Sequence, residues 1–205
     1  AQSPIFLQAG RLSVGLSPDE GRPVSLAVGA HSLLSGPGAL TLQVDKAPAV
    51  SLGKNLTGSA IVHRDGSLVI EGREPQSGVD VRAEWRGGQD IECRLTLTGH
   101  QSPRQEAAVE LRLPWTKRRL EVLAPSGDDR HQADFSRSLA FGYRATGRNL
   151  AMPAVVLYRP EDDWGLTVMA DFTLPIRGFE LKLEDRQPAV AARRVHLRLE
   201  PGKPV

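Results

Sequence analysis

Between Gln89 and Trp115 the chain alternates apolar and polar positions twice, with a polar break between. Ile91, Cys93, Leu95 and Leu97 share one side of the first segment, opposite Glu92, Arg94, Thr96 and Thr98. Val109, Leu111, Leu113 and Trp115 share one side of the second, opposite Ala108, Glu110 and Arg112. Successive side chains of a strand point to opposite faces, so this period of two predicts two half-buried strands. Together they read as a hairpin. Its inward faces build a core, and its tip, Gly99 to Gln105, is a surface loop.

Short segments of the same kind recur along the chain. Leu12, Val14 and Leu16 make one, then Val24, Leu26 and Val28, then Leu40, Leu42 and Val44. Leu68 and Ile70 follow Asp65-Gly66, a strong tight-turn pair. Val79, Val81, Ala83 and Trp85 precede Gly87-Gly88. Later come Leu120 and Val122; Leu139, Phe141 and Tyr143; the run Ala154 to Tyr158; Leu166, Val168 and Ala170; Phe179, Leu181 and Leu183; and Val195, Leu197 and Leu199. Gly, Pro, Asp, Asn and Ser fill the breaks and supply the turn chemistry. Strands at this spacing predict an all-β fold, a large antiparallel β-sandwich with little or no helix. Arg104 to Val109 reads as loop running into strand. The polar stretch Pro125 to Ser138 is the longest break. It offers a division into two smaller sandwiches, but no Pro/Gly-rich hinge accompanies it, so residues 1–205 read as a single β-sandwich domain.

Composition narrows the partners. The 205 residues carry a net charge of +2, with 21 Arg and 5 Lys interleaved with acids. No polybasic arm is present, which argues against nucleic acid. No apolar run approaches the ~18 residues of a membrane helix, so no membrane partner is expected. Cys93 is the only cysteine, so no internal disulfide forms, and its place on an apolar strand face predicts an inert buried thiol. The chain begins Ala-Gln-Ser-Pro. A small residue at a mature terminus is what signal peptidase leaves, so the expectation is a secreted or periplasmic protein. An artificial boundary would look the same, and a cytoplasmic location stays open.

The order of segments resembles the galactose-mutarotase-like β-supersandwich, especially the version placed N-terminal to the catalytic domain of multidomain glycoside hydrolases. The chain opens with GRLSVGLSPDEGRPVSLAVGAHSLLSG, a strand, a turn and a strand. The middle holds the paired segments that end in Leu-Pro-Trp. PAVVLYRPEDDWGLTVMADF follows, an apolar strand, an acidic turn and a Trp-Gly-Leu strand, and RRVHLRLEPGKPV closes with a Pro-Gly exit. The resemblance is one of pattern over nearly the whole chain. It implies a non-catalytic domain that packs on a catalytic domain of the same or an associated chain and helps shape a substrate cleft. The parent protein would be a glycoside hydrolase continuing beyond Val205. Carbohydrate is the implied ligand, and no cofactor is implied.

Two other readings stay open. A free-standing carbohydrate-binding module stacks sugar rings on exposed aromatics and hydrogen-bonds hydroxyls with Asp, Asn and Arg. Trp164, beside Glu161, Asp162 and Asp163, and Trp115, after Pro114, are the candidate aromatics; core or sheet-edge packing is the competing explanation for both. The polar loop Ser126–Phe135, with Asp128, Asp129, Arg130 and His131, is the other candidate contact with sugar or partner. An aldose epimerase-like enzyme needs an acid and a base on opposite sides of a sugar ring, and the resemblance implies a His and a Glu. Of the histidines, His31, His63 and His196 lie in or beside strands, leaving His100 and His131. Glu180, Glu184 and Glu200 are the late glutamates. Acid pairs such as Asp128-Asp129 sit in turns where solvation explains them, so no catalytic pair of a glycosidase is assigned. Asp128, Asp129, His131 and Asp134 share a loop without EF-hand spacing, so no metal site is assigned.

Overall fold

The computed structural model describes residues 2–64, 66–101, 105–116, 120–123, 130–133, 139–143, 148–149, 154–169, 179–183 and 189–205. Strands β1 (Ile5–Ala9), β2 (Leu12–Leu16), β3 (Pro23–Val28) and β4 (His31–Ser32) form an antiparallel meander. Then come β5 (Ala39–Val44) and β6 (Val50–Ser51), followed by a second meander of β7 (Thr57–Arg64), β8 (Ser67–Arg73), β9 (Asp80–Arg86) and β10 (Glu92–Thr98). The remaining strands are β11 (Gln105–Pro114), β12 (Leu120–Leu123), β13 (Arg130–Ala133), β14 (Leu139–Tyr143), β15 (Arg148–Asn149), β16 (Ala154–Arg159), β17 (Trp164–Met169), β18 (Phe179–Leu183) and β19 (Ala189–Leu199). A seven-stranded sheet runs β15-β14-β18-β19-β11-β5-β6, and a four-stranded one runs β13-β12-β16-β17. Every strand pairing is antiparallel except the short β14–β15 contact. The one helical element among the described residues is a 3-10 turn at Pro160–Asp162. The fold class is therefore the predicted all-β, antiparallel sandwich type.

The predicted apolar faces point inward. One contiguous core takes Leu7 and Val14 from the first sheet, Leu42 from the seven-stranded sheet, Ile70 and Trp85 from β8 and β9, and Leu157 from β16. Burial of such faces is the main drive for folding.

The hairpin expected at Gln89–Trp115 does not form. β10 pairs with β9, whereas β11 leaves that sheet and pairs with β5 on one side and β19 on the other. Alternation reports which face of a strand is buried, not which strand lies beside it. Between Thr98 and Gln105 the chain passes from one sheet to another. A second correction concerns Arg130 and His131, expected in a polar loop. Arg130–Ala133 is a strand paired to Leu120–Leu123, with His131 in register with Val122. Its run Arg-His-Gln-Ala has no apolar side to announce it.

Trp115 is fully buried at the end of β11. It bridges to Leu34, and the flanking bonds Ser35 N–H to Pro114 O (3.0 Å) and Thr116 N–H to Leu33 O (2.9 Å) stitch the first sheet to β11. Its ring lies 6.4 Å from that of Trp164, tilted by 39°. Trp164 belongs to the β12–β13–β16–β17 sheet, so three sheets converge on this pair. Replacing Trp115 by Ala removes the contact and leaves a cavity. The expected loss is about 3–5 kcal/mol of stability, read as a lower urea midpoint. Phe6, 59% exposed on β1, serves as the comparison: Phe6→Ala should stay within about 0.5 kcal/mol of the parent.

Candidate functional site

The outward positions of β7–β10 form polar rows set by strand register. Thr57, Arg73, Asp80 and Thr98 are successive cross-strand partners in one row. Ala60, Glu71, Arg82 and Thr96 form the next. The opposite face carries Ile70, Val81, Ala83, Trp85 and Leu97, all buried. β8, β9 and β10 are polar outside because alternate residues turn to the core, whereas β7 is exposed on nearly every residue. The two rows line an open depression of about 590 Å³, with Thr57, Glu71, Arg73, Asp80, Arg82, Thr96 and Thr98 around it.

Asp80 is the most connected group there. Arg73 Nε donates to its Oδ1 at 2.7 Å, and His100 Nε2 lies 2.6 Å from its Oδ2. The Arg73 bond, and then the His100 bond, hold the Asp80 carboxyl below the usual aspartate range. Arg82 pairs with Glu71 across the β8–β9 ladder and reaches Glu84 at 3.9 Å. The depression is accordingly an array of fixed hydrogen-bond donors and acceptors.

His100 is held by a buried turn. Between β8 and β9, the Glu74 carboxylate accepts the backbone N–H groups of Gln76 and Ser77 and the Ser77 hydroxyl. Burial pushes the Glu74 carboxyl up, but the hydrogen bonds from Ser77 and Gln76 outweigh it, and the group sits below its ordinary value. The turn presents the Ser77 carbonyl to the amides of Gln101 (3.0 Å) and Gln105 (3.3 Å), which fixes the crossover carrying His100. Gly99 packs so closely that an added Cβ would lie 2.9 Å from Leu199 Cβ. Gly202 N–H also donates to Gly99 O at 2.8 Å.

The residues singled out from sequence lie elsewhere. Trp115 (0% exposed) and Trp164 (6%) meet each other in the core, so neither offers a ring face to a sugar. Glu161, Asp162 and Asp163 form the turn before β17. Arg159 binds Glu161 at 3.2 Å and Asp162 at 3.1 Å, and His31 Nδ1 lies 3.9 Å from Asp162. Asp163 takes a left-handed conformation (φ 50°), which Asp tolerates better than most residues. Glu161 and Asp162 of this turn are thus paired with Arg159 within the protein. Asp128, Asp129 and Asp134 lie outside the described residues, and Arg130 and His131 sit on β13. Of the late glutamates, Glu180 on β18 is in register with Arg193 on β19, which is in register with Glu110 on β11. Glu184 lies outside the described residues, and Glu200 binds Lys203 at 2.8 Å.

Asp80, Arg73, Glu71 and Arg82 were not anticipated. A signal existed. Glu71-x-Arg73 and Asp80-x-Arg82 place opposite charges on one face of two strands joined by a short turn, and matching them across the turn pairs each acid with an arginine.

No protein-family model matches the chain, and no curated protein sequence does. Solved structures do. A galactose mutarotase-like protein from Lactobacillus casei ATCC 334 is similar with a TM-score of 0.64 and 8% identity, covering 98% of this chain and 97% of that one. A galactose mutarotase related enzyme from Lactobacillus acidophilus gives 0.63 and 10%, covering 98% and 94%. A candidate aldose 1-epimerase from Escherichia coli K12 gives 0.60 and 12%, covering 99% and 96%. The fold is the galactose-mutarotase-like β-supersandwich that the segment order resembles.

Two measurements test this geometry. Glu74→Gln should cost about 1–3 kcal/mol at neutral pH, because a buried acceptor of several hydrogen bonds is lost. The lowered Glu74 value means its contribution is present above pH 4.5 and fades as pH falls below it. The stability gap between parent and variant should therefore narrow in acid. Cys93 is half-buried rather than fully buried as expected, and desolvation pushes its thiol up to about 12. Native protein at pH 8 should leave Ellman's reagent unreacted, and guanidinium-unfolded protein should consume one equivalent.

Proposed function

We propose that this chain is a carbohydrate-recognising domain that holds a sugar in the depression on the outer face of β7–β10, without chemistry of its own. One observation carries the reading: all four strands converge hydroxyl, guanidinium and carboxylate groups on that depression. Such groups hydrogen-bond sugar hydroxyls, and their mutual bonds hold them in place before a ligand arrives. Epimerisation at an anomeric carbon needs an acid and a base on opposite sides of the ring. His100 and Asp80 touch, so this pair stands on one side only.

The role implied by the sequence resemblance, packing against the catalytic domain of a glycoside hydrolase, calls for an apolar patch left for that partner. Among the described residues the exposed large hydrophobics are Phe6, Val62 and Met169, one on each of three different sheets. That scatter favours recognition of sugar over packing as the domain's work.

A second reading has its own support. A carboxylate at 2.6 Å from His100 orients the imidazole, the geometry of a His–carboxylate pair in general acid–base chemistry. With neighbours named for mutarotase and aldose 1-epimerase in this fold, sugar-ring opening by His100 is the alternative.

Titration of 15N-labelled protein with neutral mono- and oligosaccharides separates the readings. Shifts confined to β7–β10 and the 99–101 crossover are expected, with Arg73→Ala weakening binding at least tenfold. No perturbation there would sink the proposal. Polarimetry on fresh α-glucose and α-galactose tests the alternative: mutarotation faster than buffer, lost in His100→Ala, would replace recognition with catalysis.

A further inference from the structure

We propose that Glu71 and Asp80 set the ligand class of the depression: they pair with and neutralise the two arginines that an acidic sugar would need, and so select uncharged sugars. This rests on the reading of the depression as a saccharide site. On β8 the outward residues are Glu71 then Arg73, and on β9 they are Arg82 then Asp80, with Glu71 opposite Arg82 and Arg73 opposite Asp80. The four charges form a checkerboard in which every neighbour is of opposite sign. The lining of the depression carries no other charged residue, so its charge balances to zero.

Recognition of a uronate or a sugar phosphate relies on a guanidinium able to turn its parallel N–H groups to the anion. Arg73 spends its Nε on Asp80 at 2.7 Å. Arg82 spends Nη1 on Glu71, and its Nη2 faces Glu84 at 3.9 Å. Glu84 is itself paired with Arg86 at 2.6 Å. Both oxygens of Asp80 are occupied, by Arg73 and His100. An entering anion has to displace one carboxylate and then remain beside it, since neighbouring strands lie only about 4.8 Å apart. Sugar hydroxyls meet no such conflict. They donate to carboxylate lone pairs left over by the arginines and accept from guanidinium and threonine groups, so the checkerboard stays intact.

The carboxylates therefore act as specificity residues, and removing one should convert the site. Glu71→Gln keeps the shape, frees Arg82 and raises the charge of the depression by one. Asp80 and His100 stay untouched in this variant. Glu71 is exposed on the strand surface, so the fold is expected to survive, and the urea midpoint checks it.

The probes are glucose, glucuronate and glucose 6-phosphate, with galactose and galacturonate as a second pair. Binding is followed by amide shifts of β7–β10 at low ionic strength. In the parent, each neutral sugar should bind more tightly than its uronate and than the phosphate. In Glu71→Gln the uronate should gain roughly 1.5- to fivefold, the span expected when one exposed ion pair is released. The gain should fade with added salt and vanish in the Glu71→Gln/Arg82→Gln double variant. A parent that binds uronate or phosphate as tightly as the neutral sugar overturns the selection while leaving the saccharide site standing. So does a Glu71→Gln protein with unchanged preference. If no probe perturbs β7–β10 in either protein, the saccharide site itself falls, and this inference with it.

Discussion

The two-sided ladder of β11 is the constraint on which the rest of the structure hangs. Its edges are both occupied, by β5 from early in the chain and by β19 from its end. Backbone N–H and C=O groups buried in the middle of a sheet have to be paired, and a central strand meets that demand on both sides. The register then fixes what sits at each end. At the C-terminal end Trp115 reaches the core and meets Trp164, where three sheets come together. At the N-terminal end Gln105 is tied to the Ser77 carbonyl, so the crossover that carries His100 arrives directly over β9. One strand thereby locates both the tryptophan pair in the core and the crossover beside the polar depression.

Much of this was legible in the sequence, for a physical reason. Inward faces were readable because burial forces alternate residues to be apolar; Leu68 and Ile70, or Val81, Ala83 and Trp85, needed no partner to be recognised. Neighbours were not readable. Ile91–Leu97 and Val109–Trp115 alternate as a hairpin would, yet they belong to different sheets. A strand without a buried side left no trace: β7 is exposed on nearly every residue. The candidate site was hidden for the same reason. Asp80 and His100 are twenty residues apart, and only strand register brings them together.

For Trp115 and Trp164, sugar contact stood against core packing, and their burial favours packing. A tryptophan after an acidic turn looks like a binding-site lip. Here the turn is closed internally by Arg159 and His31, and the ring turns inward. Solved structures that share the fold do so at 8–12% identity, which is the range in which a core pattern persists while surface groups are free to differ. The function of this chain therefore lies in its own surface groups.

The end of the chain adds one more strand-like element. Leu97 and Val205 exchange both backbone hydrogen bonds at 2.9 Å, and Thr98 bridges to Pro204. The outer edge of β10 is thus taken at its Leu97–Thr98 end, and β7 forms the opposite edge of that sheet without a described partner. A sheet that is open on both sides can add copies indefinitely, as fibres do. A sheet with one open side cannot. Two copies meeting edge to edge through β7 would pair the donors and acceptors along that edge, and the contact would close as a two-fold pair.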